Sequence, residues 1–155
     1  MKKKVVIVGG GVAGLFAAYE LAESRAFDVT IVEMGANASE RKCPLERYKM
    51  CTRCKPCNIM SGVGGAGLFS SGLLNLHPRI GGDLVELVGS EKRAWDLVEY
   101  VDQIFVECGA PTILFKPDEA KVEELERKAA SAGITFIPIV QRLIGTENAK
   151  RVIEK

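Results

Sequence analysis

The chain has 155 residues, of which 47% are hydrophobic and 26% are charged, and its net charge at neutral pH is +1. A chain of this size and composition can bury the core of a globular domain, and its near-zero charge offers no field to recruit nucleic acid or a membrane surface. No apolar run reaches the roughly 20 residues of a membrane span, and the N-terminal residues lack the pattern of a signal peptide. We therefore expect a cytoplasmic protein without nucleic-acid or membrane partners.

The first third of the chain predicts a βαβ unit. The β-branched run Val5–Val8 is typical of a strand that is buried on both faces of a parallel sheet. Residues 12–24 have the apolar spacing of a helix, and a second strand is predicted over 28–33. This order favours a parallel pair of strands joined by a crossover helix.

A glycine-rich turn lies between the first strand and the helix. Gly9, Gly11 and Gly14 have the G-x-G-x-x-G spacing. In this motif the first glycine makes the tight bend, the second lets a pyrophosphate approach the backbone, and the third lets the helix pack closely on the strand. The helix N-terminus adds free N–H groups and a partial positive charge. The candidate dinucleotide-binding residues of this turn are Gly9, Gly10, Gly11, Val12, Ala13 and Gly14.

An acidic residue follows the second strand at the distance that the turn requires. Glu33 lies 19 residues after Gly14, where a carboxylate can accept hydrogen bonds from an adenosine ribose, and Met34 is the adjacent candidate contact. A carboxylate there disfavours a 2′-phosphate, since unit charges about 4 Å apart repel by roughly 4 kcal/mol at an effective dielectric near 20. The pattern therefore predicts FAD or NAD rather than NADP.

Residues 34–67 form an aperiodic segment that is too long for an ordinary connection. Its basic first half holds four cysteines, and C-x2-C-x2-C spacing suits zinc or the start of an iron–sulfur run. A redox-active C-x-x-C pair favoured by the nearby basic residues, and reduced thiols without a ligand, are the alternatives. The candidate metal ligands are Cys43, Cys51, Cys54 and Cys57.

The second half of this segment is nearly free of side chains. The run Gly64–Gly67 lets backbone pass close to a planar or anionic ligand, although a flexible hinge would have the same composition. Downstream, His77 is the only histidine, so a multi-histidine metal site is excluded. A histidine before a proline suits a structural role or a general acid–base role near a ligand.

The remaining chain predicts alternating helices and short strands. We expect helices over 90–108 (capped by Ser90), 118–132 and 146–155, and a strand over 134–140. Residues 112–115 are predicted as a short strand or as an extended arm before Pro117. Trp95 and Tyr100 fall beside the apolar stripe of the first of these helices, which predicts that they pack in the core.

These residues resemble a known family. With Val5–Ala18, Glu33 and Gly64–Asn75, the sequence is similar to the N-terminal part of FAD-dependent dehydrogenases of the two-dinucleotide-fold class. Cys54–Cys57, Gly64–Gly72, Ile80–Gly82 and Gln141–Gly145 look like a microbial subgroup of these FAD-dependent oxidoreductases.

The resemblance implies an α/β, Rossmann-like βαβ fold for FAD or NAD(P), present as its N-terminal portion. FAD would lie extended, with its pyrophosphate on the glycine turn and its adenosine ribose on Glu33. Lower-ranking cofactor contacts are Lys42, Gly65, Ala66, Gly67 and Ser70. Family members are several hundred residues long, so the resemblance implies a partner polypeptide that supplies the C-terminal half, with a homo-oligomer as the alternative.

Three functions follow from these patterns. The first is an FAD-binding oxidoreductase, or the N-terminal half of one, formed by a single domain over 1–155 with a Cys/Gly-rich insertion at 34–67. The second is a non-catalytic module that binds an adenine dinucleotide and needs a partner chain. The third is an electron-transfer protein with zinc or an iron–sulfur cluster on its cysteine loop. The sequence singles out no catalytic residue.

Overall fold

The computed structural model describes all 155 residues. The chain alternates strands and helices, with 3₁₀ turns at Ala38–Glu40 and Ala66–Phe69. The regular elements are β1 (Lys3–Val8), α1 (Val12–Glu23), β2 (Phe27–Val32), α2 (Pro44–Tyr48), β3 (Leu73–Asn75), α3 (Leu84–Val88), α4 (Glu91–Glu107), α5 (Glu119–Ser131), β4 (Gln141–Leu143) and α6 (Thr146–Ile153). None of the helices combines the length and hydrophobicity that a bilayer span requires. Two compact units result, one from 1–72 with 146–155 and the other from 73–145.

The first unit contains the predicted βαβ arrangement. β1 and β2 are parallel and in register from Lys3 opposite Phe27 to Val8 opposite Val32, and α1 packs against both strands. The α/β, Rossmann-like fold class is therefore confirmed. Helix α1 starts directly after the glycine turn, because the glycines release the chain from the strand and the apolar spacing then favours helix.

The two-sided burial predicted for the first strand is wrong. Residues at alternate positions of β1 and β2 lie under α1, but the opposite face of this two-stranded sheet is open. Val6 is 64% exposed and Val8 87% exposed. A run of β-branched residues identifies a strand, but it does not specify how many layers cover it.

The aperiodic segment predicted over residues 34–67 contains only short helical elements. Helix α2 and the two 3₁₀ turns lie within it or at its end, and α6 packs on both turns. The core of the first unit is small, with Ala38, Leu68 and Val152 buried. The backbone N–H of Ser39 donates to the Glu154 carboxylate at 2.7 Å, which fixes α6 to the segment.

The second unit has a different strand arrangement from the predicted one. No strand forms over 134–140, and of residues 112–115 only Phe115 forms a bridge, to Gln141. The ladder is instead antiparallel between β3 and β4. Residues 134–140 have the composition of a strand but do not pair with one. Pro138 has no N–H to donate to a neighbouring strand, and the three-residue β4 begins only after this run.

The helices of the second unit follow the prediction more closely. α4 begins after Ser90, whose hydroxyl accepts the Arg93 N–H, and α5 begins after Asp118, whose carboxylate accepts the Lys121 N–H. Trp95 and Tyr100 on α4 are 36% and 41% exposed, so the core packing predicted for them is only partial. The short α3, which Asp83 caps, was not predicted.

A buried ion pair joins α4 to β4. Arg142 is 4% exposed, its guanidinium forms two hydrogen bonds to Asp102, one of them 2.6 Å long, and a third goes to the carbonyl of Pro111. Removing one member of a buried pair leaves an uncompensated charge, which costs about 3–5 kcal/mol. This pair therefore holds the short ladder of the second unit onto its longest helix.

We predict that Asp102→Asn destabilises the second unit by about 3 kcal/mol, because it leaves the buried guanidinium without its counter-charge. Urea unfolding followed by fluorescence of Trp95, the only tryptophan, measures this unit. The matched control is Asp96→Asn on the same helix, which breaks the exposed Lys92–Asp96 pair and should cost less than about 0.5 kcal/mol. Equal losses in the two variants would contradict the assignment.

Candidate functional site

A cleft of about 430 Å³ lies in the first unit where β1 and β2 end. In an open α/β sheet, ligands bind at the carboxyl ends of the parallel strands, so this is the position expected for a nucleotide. The residues that line it come from both strand ends, the glycine turn and the end of the long connecting segment. They are Val8, Gly9, Gly11, Val32, Glu33, Met34, Met60, Ser61, Gly62 and Gly65.

The glycine turn has the geometry that its spacing predicts. Gly9 has φ +104°, and its N–H donates to the carbonyl of Val32 at 2.8 Å, which ties the turn to β2. A Cβ on Gly14 would lie 2.0 Å from the Gly9 carbonyl oxygen, so only glycine lets α1 pack this closely. A Cβ on Gly11 would meet no atom within 4 Å, so the backbone there faces open space.

The first turn of α1 offers free donors to this open space. Gly11 is the N-cap, no side chain caps the helix, and no acidic residue lies in its first turn. The N–H groups of the first helical residues, Val12 and Ala13 among them, have no intrahelical acceptor. Such an uncapped N-terminus favours an anion.

The Glu33 carboxylate accepts three backbone N–H groups. Its Oε2 accepts from Gly10 at 2.7 Å, and its Oε1 accepts from Gly35 at 3.0 Å and from Gly62 at 2.8 Å. These donors belong to the glycine turn, the start of the connecting segment and its end. One side chain therefore joins three stretches of backbone around the cleft.

These hydrogen bonds stabilise the ionised carboxylate. The N–H groups of Gly10 and Gly35 lower the pKa of Glu33 below its ordinary value, and partial burial opposes them only in part. The cleft therefore presents a fixed negative charge at neutral pH beside the uncapped helix N-terminus.

Arg41 is the most deeply buried side chain near the cleft, with 0% exposure. Its guanidinium lies 4.8 Å from the centre of the Phe69 ring, and its nitrogens donate to carbonyl oxygens of the connecting segment. The acceptors are Asn58 (2.9 Å), Ile59 (2.7 Å), Gly62 (3.4 Å), Val63 (2.8 Å) and Gly65 (2.8 Å). Nε donates to Asn58 and Nη2 to Ile59, while Nη1, which carries two hydrogens, faces the other three carbonyls, with Gly62 the most distant of them.

Arg41 and Glu33 act on the same strip of backbone. Gly62 donates its N–H to Glu33 and offers its carbonyl to Arg41, and a Cβ on Gly62 would lie 2.6 Å from Arg41 Cδ. Burial lowers the pKa of Arg41, while the charge of Glu33 raises it. The acid and the base thus fix the residues that form the far wall of the cleft.

The structure brings some of the predicted cofactor contacts together and not others. Met34 and Gly65 line the cleft, and the Cβ position of Gly65 lies 3.4 Å from Gly11 Cα, so the two glycine-rich stretches face each other. Lys42 instead lines a separate depression beside α6. The remaining predicted contacts, Ala66, Gly67 and Ser70, are in or next to the second 3₁₀ turn and do not line the cleft.

The cysteine loop does not form a metal centre. All five cysteines are free, and no group of three or more metal-ligating side chains comes together anywhere in the chain. Zinc or an iron–sulfur cluster on Cys43, Cys51, Cys54 and Cys57 is therefore not supported. The C-x2-C-x2-C spacing along the sequence is that of metal ligands. In the folded loop, however, the thiols do not come together around one point.

Sequence reasoning missed part of the cleft. Met60 and Ser61 line it, and Arg41 was only one of several basic residues in the segment. The glycine-rich composition from Gly62 onward was the one available signal, since close backbone approach requires small residues. Nothing in a single sequence separates a buried arginine from the exposed ones around it.

Comparison with protein families decides the assignment. The model of the FAD dependent oxidoreductase family matches residues 4–153. The chain belongs to this family. No curated protein and no solved structure gives a match. Family membership implies FAD as the cofactor of this oxidoreductase.

The residues of the cleft fit the adenosine diphosphate part of FAD. Gly11 leaves the space that a pyrophosphate needs, and the first turn of α1 offers unused donors beside it. The carboxylate of Glu33 has about four lone-pair sites, of which three accept backbone N–H groups. The backbone N–H of Met34 also acts on this carboxylate, so a ribose hydroxyl would share its oxygens with backbone donors.

We predict that acid weakens the link between Glu33 and its backbone donors. Because the pKa of Glu33 is lower in the folded state, its stabilising contribution is complete above its ordinary pKa of 4.5 and is lost as the pH falls through the folded-state pKa. Hydrogen-exchange protection of the Gly10, Gly35 and Gly62 amides, corrected for intrinsic rates, measures the effect.

Glu33→Gln is the control for this titration. The amide cannot ionise, so the difference in protection between wild type and variant should shrink on acidification. If the difference in amide protection between wild type and Glu33→Gln stays constant from neutral pH to well below 4.5, the charge of Glu33 does not stabilise the hydrogen bonds to Gly10, Gly35 and Gly62.

Proposed function

We propose that the cleft binds the adenosine diphosphate end of FAD and that the chain serves a flavin-dependent dehydrogenase of the two-dinucleotide-fold class. The observation that carries the proposal is the position of the ionised Glu33 opposite an uncapped helix N-terminus, across a glycine turn with open space at Gly11. The family match supports FAD as the ligand. The microbial subgroup that the sequence resembles remains part of this proposal.

Each wall of the cleft has one task in this proposal. The first turn of α1, including Val12 and Ala13, binds the pyrophosphate with backbone N–H groups and the helix dipole. Glu33 accepts a hydroxyl of the adenosine ribose at a carboxylate oxygen that it shares with backbone donors. Gly65 packs against Gly11 and closes one side of the cleft beside the cofactor.

The polarity of the cleft favours FAD or NAD over a 2′-phosphorylated nucleotide. The Glu33 charge is fixed by three N–H donors, so it cannot turn away from a phosphate on the ribose. Two like charges about 4 Å apart repel by roughly 4 kcal/mol at an effective dielectric near 20. The family match selects FAD from the two remaining dinucleotides.

FAD, when bound, supplies the electron-accepting flavin ring. The described residues bind and orient its nucleotide end, and no residue of the cleft is positioned as a general acid or base apart from the fully engaged Glu33. Glu33 holds its charge rather than moving a proton, because its donors lower its pKa. The chain thus contributes affinity and orientation.

A second candidate function is a cofactor-binding module that acts with a partner. The open face of the β1–β2 sheet favours it, because Val8 and Val32 are both more than half exposed and lie at the mouth of the cleft. Exposed apolar surface of this kind marks an interaction site. We propose residues 1–155 as a single domain. A second polypeptide, or a second copy of the chain, would cover its open face.

We predict that Gly11→Ala weakens FAD binding at least about tenfold with little loss of stability. The new methyl group would occupy the open space in which we propose that the pyrophosphate of FAD lies. Stability should change little, because Gly11 has φ −72°, which alanine adopts without strain. Titration of the purified chain with FAD, followed by quenching of flavin fluorescence, measures the dissociation constant.

Gly14→Ala is the matched comparison within the same turn. Its methyl group would collide with the Gly9 carbonyl, so this variant should lose stability despite the higher helix propensity of alanine, about 1 kcal/mol. Thermal unfolding separates the two effects. Unchanged FAD affinity in a folded Gly11→Ala protein would contradict the proposed cofactor path.

A further inference from the structure

A second, larger cavity of about 550 Å³ lies entirely within the unit formed by residues 73–145. Its volume is within the range of small-molecule sites, about 300–1,000 Å³. The wall is mainly aliphatic and comes from β3, α3, α4 and the loop between β3 and α3. Its apolar residues include Leu74, Leu76, Leu84, Leu97, Val98 and Val101.

Two polar residues, Asn75 and His77, belong to this otherwise apolar lining. Asn75 follows Leu74 on β3, so its side chain lies on the opposite face of the ladder from that of Leu74. Both side chains already accept one hydrogen bond. Asn75 Oδ1 accepts from Gln141 Nε2 at 2.7 Å, and His77 Nδ1 accepts the Arg79 backbone N–H at 3.1 Å. Because Nδ1 is the one acceptor of a neutral imidazole, what remains on His77 is the donor at Nε2.

The ring of His77 is held in a neutral form with its proton on Nε2. Burial, followed by the charge of Arg79, lowers the pKa of His77 below its ordinary value, so the ring is uncharged at neutral pH. Because Nδ1 accepts a hydrogen bond, the neutral ring carries its hydrogen on Nε2. The edge contact with Trp95, 5.1 Å between ring centres, fixes the plane of the ring.

The charges around the cavity disfavour an anionic ligand. Asp83 lines the cavity and keeps its carboxylate at the start of α3, where it accepts the Glu86 N–H at 3.0 Å. The neighbouring cation, Arg79, lies 3.7 Å from the Glu91 carboxylate, so its charge is compensated. A ligand of this cavity therefore gains from an acceptor atom but not from a negative charge.

We propose that this cavity binds a neutral, apolar small molecule that carries a carbonyl group, whose oxygen accepts the hydrogen bond of His77 Nε2. Aliphatic walls take the body of the ligand, and its removal from water supplies most of the affinity. This site is separate from the FAD cleft in the chain, and its occupancy does not depend on FAD.

Trp95 provides a direct assay, since it is the only tryptophan and contacts His77. The full-length chain, without FAD, is titrated with three probes of one shape: cyclooctanone, cyclooctane and cyclooctanecarboxylate. The weak n→π* absorption of the ketone overlaps tryptophan excitation, so the fluorescence is corrected for the absorbance of each added probe. We expect saturable changes in Trp95 fluorescence, with the ketone binding about five- to tenfold more tightly than the hydrocarbon, as one net hydrogen bond gives. The carboxylate should bind most weakly.

The test variant is His77→Phe, which keeps an aromatic ring beside Trp95 and removes the donor. It should reduce the affinity for cyclooctanone to that for cyclooctane and leave the affinity for the hydrocarbon unchanged. The control is Leu125→Ala on α5, which removes a half-exposed aliphatic side chain outside the cavity and should alter neither affinity.

Four outcomes would overturn the proposal. The first is absence of saturable binding by any probe, and the second is equal affinity for ketone and hydrocarbon. The third is tightest binding by the carboxylate, which would assign an anionic ligand instead. The fourth is an equal loss for ketone and hydrocarbon in His77→Phe, which would make His77 a structural residue. A failure of FAD to bind the first cleft would affect none of these readouts.

Discussion

The hydrogen bonds that converge on Glu33 are the constraint on which the first unit depends. Its carboxylate joins the glycine turn to both ends of the connecting segment, and the buried Arg41 fixes the carbonyls of the same strip. Ordering backbone costs about 1–2 kcal/mol per residue, and the apolar core here is small. Charge-assisted hydrogen bonds are about twice as strong as neutral ones, so they supply what apolar burial alone does not.

This arrangement gives the cleft its chemistry before a ligand arrives. The acceptor on Glu33 and the donors on the first turn of α1 are held by backbone that is already ordered, which reduces the entropy that binding must cost. We propose that the same carboxylate serves the fold and the cofactor. The position of Arg41 also explains why residue 62 is glycine. A Cβ at Gly62 would collide with the Arg41 side chain.

Local signals in the sequence predicted the fold where each element depends on its own residues. The β-branched run, the glycine spacing and the caps Ser90 and Asp118 set the bounds of β1, α1, α4 and α5. Pairing was not predictable in this way, because β4 is only three residues long and its partner β3 lies far along the chain. In the site, Glu33 followed from its distance to the turn, whereas Arg41 did not, because burial of one arginine depends on tertiary contacts. The cysteine spacing left a metal, a redox pair and unliganded thiols as alternatives, and the folded loop does not support the metal.

The central claim is that the first cleft recognises the adenosine diphosphate end of FAD, and comparison of FAD with FMN tests it most directly. FMN carries the same flavin ring but lacks the adenosine monophosphate part. Isothermal titration of the chain should show binding of FAD, competition by ADP, and no binding of FMN at the same concentrations. Binding of FMN as tight as that of FAD, or failure of ADP to compete, would contradict the account.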